Sequence, residues 1–432
     1  MFPADETLSD PGQDQSATVS PPAPSRSLLQ FGIHVGEGAE NNPSGILGYS
    51  SQVSSVTNLF GSARLQKFTR QSETTFDYIG GGSLYGNYGS ANFYDEQSQQ
   101  LSAEESILWS KGRLSFTDSF RYAGEGTFGS SSFGGAGAYN LRFTGLDASA
   151  PNNTGLSNLP LPTQFAQVGQ AAYAINDSGL TLSEALTPRS SVYAGGDYAI
   201  TDYFGNEENT FDSRQVAVTG GYNYQVSRKE VIGVSYGYQV FRFPDSDAGN
   251  LVTNSAQFIY KRIISTRTDL VLGGGPEYIN FSGGNTQASR QIGATAQALL
   301  THRWEKSNLS LSYNRLVTGG SGFFAGATTD IALLSVNRKF HRSWSASVYG
   351  GYVRSQVIGS NSAASSESSY GYGFAGAAVQ RRLGRSLSAF ASYQFDAEKF
   401  SNCSVSVGCN PVIRRHSASI GLDWYIHPIR LE

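Results

Sequence analysis

The residues of this 432-residue chain best suited to chemistry are five histidines and two cysteines, and their spacing supports little of it. His34, His302, His341, His416 and His427 are scattered, with no HExxH and no pair at metal-ligand spacing. Neither a metal nor any other cofactor is therefore expected. No GxxxxGK[ST] loop is present to cradle phosphates. The glycine runs Gly80–Gly82 and Gly273–Gly275 read as strand bends or close backbone contacts, because no helix follows them. Cys403 and Cys409 stand six apart in a Ser/Val/Gly-rich stretch. A metal pair there lacks CxxC spacing and an intervening histidine, so a small disulfide loop in an oxidising compartment is the expected state. A His/Ser/Asp site assembled in three dimensions stays open as the enzymatic alternative, but the expectation is that the chain is not an enzyme.

The elements that would position such residues are suggested by composition. The chain has 50 Gly, 24 Tyr and 25 Phe but one Met. Its charged fraction is 15%, against roughly 25% in an ordinary soluble domain. A soluble multidomain enzyme needs more charged surface and is disfavoured. No stretch approaches the ~18 consecutive apolar residues of a spanning helix, which excludes a helical membrane protein. A net charge of −3 leaves no basic footprint for nucleic acid.

From about Leu28 the dominant period is two, the spacing that sends successive side chains to opposite faces of a sheet. Ala418, Ile420, Leu422, Trp424 and Ile426 share one face, while Arg415, Ser417, Ser419, Gly421 and Asp423 share the other. Ile232, Val234, Tyr236 and Tyr238 alternate with Gly233, Ser235, Gly237 and Gln239, and the pattern recurs from Trp344 and from Leu387. Segments of about ten residues or more match a tilted membrane-spanning strand, whereas soluble strands average nearer five or six. Short, usually basic connections such as Arg70-Gln71, Pro188-Arg189 and Arg228-Lys229 alternate with longer polar ones. Eight tight turns and nine loops predict an all-β, antiparallel up-and-down transmembrane barrel of about eighteen strands, with sixteen as the alternative. The count requires Asp177–Leu186 to be a strand. An interior of that width is too large for side chains to fill, so a water-filled lumen is expected.

Residues 1–26, with Pro21, Pro22 and Pro24, read as a flexible tail, and 27–432 as the barrel. No charged n-region and apolar h-region precede the tail, so either the true start lies upstream or a secretory signal has been removed. The third loop, about 125–176, is long enough to fold into the lumen through Tyr139, Arg142 and Phe143, or to stay outside; both remain open. Parity places Asp396, Glu398, Arg415 and Asp423 on the polar face, with Asp197 and Arg214 joining them from earlier strands. With no single-sign cluster among these lumen candidates, weak ion selectivity is expected. Tyr203, Phe204, Tyr260, Trp304, Phe340, Trp344, Trp424 and Tyr425 suit interfacial aromatic belts.

The stretches Pro188-Arg189-Ser190-Ser191-Val192, Ala194-Gly195-Gly196-Asp197-Tyr198 and Gly421-Leu422-Asp423-Trp424-Tyr425 resemble bacterial outer-membrane β-barrel proteins of the porin type. That resemblance implies passive diffusion of small hydrophilic solutes across a Gram-negative outer membrane, with outer-membrane lipid and the barrel-assembly machinery as partners and a homo-trimer as one assembly. Such barrels usually end in an aromatic residue, whereas this chain ends Arg430-Leu431-Glu432, which implies a variant insertion signal. An export or surface barrel serving a polysaccharide-secretion or other partner system is the alternative.

Overall fold

A sheet with one apolar face can leave no backbone group unpaired in lipid only if its two edges meet. The computed structural model shows that closure; it describes residues 27–41, 53–86, 95–124, 172–204, 212–244, 249–282, 289–319, 325–358, 369–400, 412–426 and 429–431. Its strands are β1 (Ser27–Asn41), β2 (Val53–Phe68), β3 (Ser72–Gly86), β4 (Asp95–Trp109), β5 (Gly112–Ala123), β6 (Ala172–Thr187), β7 (Ser190–Phe204), β8 (Ser213–Ser227) and β9 (Glu230–Arg242). They continue as β10 (Asn250–Ser265), β11 (Thr268–Ser282), β12 (Ser289–Arg303), β13 (Ser307–Thr318), β14 (Ala327–His341), β15 (Trp344–Val357), β16 (Ser369–Arg382), β17 (Leu387–Phe400), β18 (Val412–Tyr425) and the short β19 (Ile429–Leu431).

Each of the first eighteen strands pairs antiparallel with its neighbours in sequence, and β18 returns to β1 from Gly32↔Tyr425 to Glu40↔Ser417. β19 extends that closing seam by pairing with Ser27–Leu29, one residue out of the β18 register. The architecture is thus the predicted closed barrel of eighteen strands, and Asp177–Leu186 lies within β6. No helix among the described residues is long and apolar enough to cross a membrane.

Four of the eight tight turns share one construction. Hydroxyls at Thr69, Thr187, Ser227 and Ser265 accept the backbone N–H two residues on, at 3.2–3.3 Å. A Ser or Thr that closes its own turn in this way reverses the chain without glycine. The residue whose backbone is so fixed is Gln71, Arg189, Lys229 or Arg267. Register irregularities at Ala185/Thr187, Gln225/Ser227, Ile263/Ser265 and Lys339/His341 accompany four of the turns.

The two faces separate cleanly over most of the wall. Exposed Ile33, Val35, Val216, Val218, Val234, Phe258, Leu272, Val348, Ile420 and Leu422 lie on the outside. An apolar surface that encircles the molecule is not tolerated in water and is matched to lipid. One outward carboxylate, Asp118, receives hydrogen bonds from Ser178 Oγ at 2.6 Å and Asn176 Nδ2 at 3.2 Å.

The separation fails at one seam. β12 pairs with β13 only where Ala296–Arg303 meets Asn308–Arg315, while Ser289–Thr295 stay bound to β11 and Leu316–Thr318 to β14. Above that point β13 leans inward. Val317 has the same parity as the outward Leu311 and Tyr313, yet it is 1% exposed and clustered with the inner-face residues Phe241, Leu251, Ile279 and Phe281. A Cβ on Gly319 would stand 3.1 Å from the Phe241 ring, so the chain after β13 passes directly beneath the β9 wall.

Candidate functional site

The inner face of the barrel is the candidate site, and its polar side chains are held by their neighbours along the wall. On β15–β18 an interior network starts at Tyr349, whose phenol donates to Gln394 Oε1 at 2.8 Å. Gln394 donates onward to Asp396 at 3.0 Å, and Tyr372 donates to the same carboxylate at 2.6 Å. Asp396 faces Arg415 in register, and Arg415 pairs with Glu40 on β1 across the closing seam. Glu398 is buried beside them.

Nearer the turns, Asp423 takes His34 Nδ1 at 2.6 Å and Gln380 Nε2 at 3.3 Å, with the His34 ring stacked on Phe390. A histidine on a carboxylate is half of a hydrolytic triad, but among the described residues no serine hydroxyl bonds the ring's second nitrogen. Gly233-Val234-Ser235-Tyr236-Gly237 has the GxSxG spacing that can mark a nucleophilic serine. It runs through β9, so Ser235 sits on extended strand and not on the strand-to-helix turn that exposes a nucleophile.

A second polar sector lies on β2–β5. Arg113 donates to Ser106 Oγ at 2.5 Å, Ser115 Oγ at 2.8 Å and Glu104 at 3.2 Å, and stands 3.7 Å from Glu73. Arg64 pairs with Asp77 at 3.1 Å. In this sector acid is paired with base by charge-assisted bonds, Arg113 with Glu104 and Arg64 with Asp77 across adjacent strands. The loop-side interior of β9–β11 is different: Phe241, Phe243, Leu251, Ile279 and Phe281 make it apolar.

Of the residues singled out from sequence, Asp396, Glu398, Arg415 and Asp423 project inward from β17 and β18, and the first three gather with Glu40. Asp197 also faces inward but stands apart on β7; a Cβ on Gly179 would lie 2.6 Å from its Oδ1. Arg214 does not face inward. It keeps step with the exposed Val216 and Val218, and its Nη1 meets the outward Asp202 at 2.5 Å. Tyr139, Arg142, Phe143, Cys403 and Cys409 lie outside the described residues. Phe204, Trp304, Phe340, Trp344 and Trp424 are exposed on the outer face as expected. Tyr203 and Tyr425 instead share the inner face with their register partners Tyr173 and Gly32.

Sequence reasoning missed Glu40, His34, Glu104, Arg113, Tyr349 and Tyr372. Parity within β1 would have put His34 and Glu40 on one face. Nothing local could have said that this face meets β18.

No family model and no curated protein matches the chain. Among solved structures it is similar to OccK2 (OpdF) of Pseudomonas aeruginosa, with a TM-score of 0.44 and 11% identity over 94% of this chain and 98% of that one. The outer membrane protein OpdK of Pseudomonas aeruginosa gives a TM-score of 0.42 and 10% identity over 92% and 98%. OccAB4 of Acinetobacter baumannii gives 0.42 and 10% over 94% and 99%.

Proposed function

We propose that the chain is a non-catalytic channel of a bacterial outer membrane, through which small hydrophilic solutes diffuse along a water-filled lumen. The observation that carries this reading is the opposition of the two faces in a closed eighteen-strand wall. Exposed Val, Ile, Leu and aromatic side chains cover the outside, while Arg113, Glu104, Asp396, Arg415 and Asp423 occupy the inside. Eighteen strands enclose more space than their side chains fill, and a polar lining hydrates that space. The wall needs no moving part, so passage is diffusion down a gradient.

The residues between β5 and β6 are the candidate restriction. Purified protein in planar bilayers is expected to give discrete conductance steps, and liposomes containing it to swell in small sugars. Deleting Ser130–Gln164 should raise the conductance; an unchanged value removes that segment from the permeation path. A barrel that inserts fully yet carries no current overturns the channel reading and leaves an export role that depends on a partner.

A further inference from the structure

We propose that the turn-side rim of the barrel binds the phosphate headgroups of anionic phospholipid. This rests on the membrane-barrel reading above but goes beyond permeation. Every one of the eight tight turns carries an exposed cation: Arg70, Lys111, Arg189 and Arg267 each serve one turn, and Arg228 and Lys229 share another. Lys306, Arg342 and Arg385 complete the set, and Glu305 is the one acid within the turns. None of the nine cations has an ion pair among the described residues. Such segregation is not a reflection of composition, because Asp and Glu outnumber Lys and Arg by 34 to 31 in the chain.

The same rim carries all four tryptophans. Trp109, Trp304, Trp344 and Trp424 are each 41–49% exposed. Trp109 and Trp304 directly precede a turn, Trp344 directly follows one, and Trp424 pairs with Leu387, the first strand residue after another. Indoles settle at the boundary between acyl chains and headgroups. The turn cations, one or two residues beyond, then lie within roughly 3–7 Å of that boundary at ~3.4 Å per residue, which is headgroup depth. Two further cations rest on rings at this level, Arg381 over Trp344 at 5.2 Å and Arg338 over Phe340 at 5.3 Å.

The occupant follows from the distribution. A docked protein touches one sector of a barrel, whereas these cations are spread over all eight hairpins and so around the whole perimeter. An annulus of anionic headgroups is the partner that meets all of them. Each Lys or Arg near an anionic surface strengthens attraction by roughly fivefold.

Because every tryptophan lies at this rim, their fluorescence reports on it directly. The full chain is reconstituted in bilayers containing brominated phosphatidylglycerol or brominated phosphatidylcholine, and the two quenching curves give a relative affinity. Phosphatidylglycerol is expected to be preferred about fivefold. The preference should shrink in high salt, fall to about one when all nine turn cations are changed to Gln, and survive exchange of the six arginines among them for Lys. Equal quenching by the two lipids, or a preference that persists in the Gln variant, overturns the proposal. A preference that emerges only after Asp5, Glu6, Asp10 and Asp14 are neutralised also overturns it, by showing that the acidic N-terminal segment occupies the cations. Absence of quenching by either lipid is a different result, which sinks the membrane reading itself.

Discussion

Replacing Arg415 by Gln tests whether the interior network holds the barrel closed or merely decorates it. The Arg415 and Glu40 side chains are 2% and 4% exposed, and they belong to strands that meet only at the closing seam. Removing one partner of a buried pair strands the other charge away from water, at a cost of about 3–5 kcal/mol. With an unfolding entropy near 2.1 cal/mol/K per residue, a barrel of about 400 residues shifts its midpoint by roughly 4–6 °C for that loss. Glu40→Gln should cost a similar amount. The double variant leaves neither member of the pair without the other and should fall short of the summed single losses by about 2–3 kcal/mol. Circular dichroism melts in detergent measure all four proteins, with gel migration after stepped heating as a second readout. If the double variant loses the sum of the singles to within about 0.5 kcal/mol, the two residues do not act as a pair and the argument from burial is wrong.

The lining also makes electrical predictions. Arg64, Arg113 and Arg415 each pair with an inward carboxylate, so the reversal potential in a salt gradient should be close to zero, and a strong preference for either ion sign contradicts the pairing described. Arg113→Gln leaves Glu104 and Glu73 without their cation and should move the reversal potential toward cation preference; no movement would place Arg113 off the permeation path. Gly376→Ala puts a methyl into the Tyr349 ring, which should cost about 1–3 kcal/mol in a melt and change little if the ring can swing away freely.

The architecture was legible because its signals are local and repeated. A turn such as Arg228-Lys229 followed by Ile232, Val234 and Tyr236 against Gly233 and Ser235 states both the reversal and the face within ten residues. Asp396, Glu398, Arg415 and Asp423 were readable for the same reason. Arg214 was misplaced because a charge was assumed to face inward, although its own alternation with Val216 and Val218 says otherwise. His34 and Asp423 are 389 positions apart and meet only because the last strand closes on the first. Parity gives a residue its face but not its neighbours across a closure. The β12–β13 seam lay further out of reach, since Val317 obeys the period and is buried by tertiary packing against β9–β11.

Glycine content and interior aromatics follow from one geometric constraint. In a filled core a polar side chain can find a partner across the middle, but in a wide barrel it must reach sideways along the wall. Adjacent strands stand about 4.8 Å apart, so a side chain on the intervening strand blocks that reach. Tyr349, Gly376 and Gln394 occupy one register row on β15, β16 and β17, and the phenol passes over the bare glycine to its acceptor. Tyr193 lies over Gly221 toward Ser235 in the corresponding row of β7, β8 and β9. Glycine there is a lane for a neighbour's aromatic side chain, not a flexible joint. This is why inward tyrosines coexist with a polar lining, and why aromatic residues alone could not distinguish the lipid-facing belt from the interior.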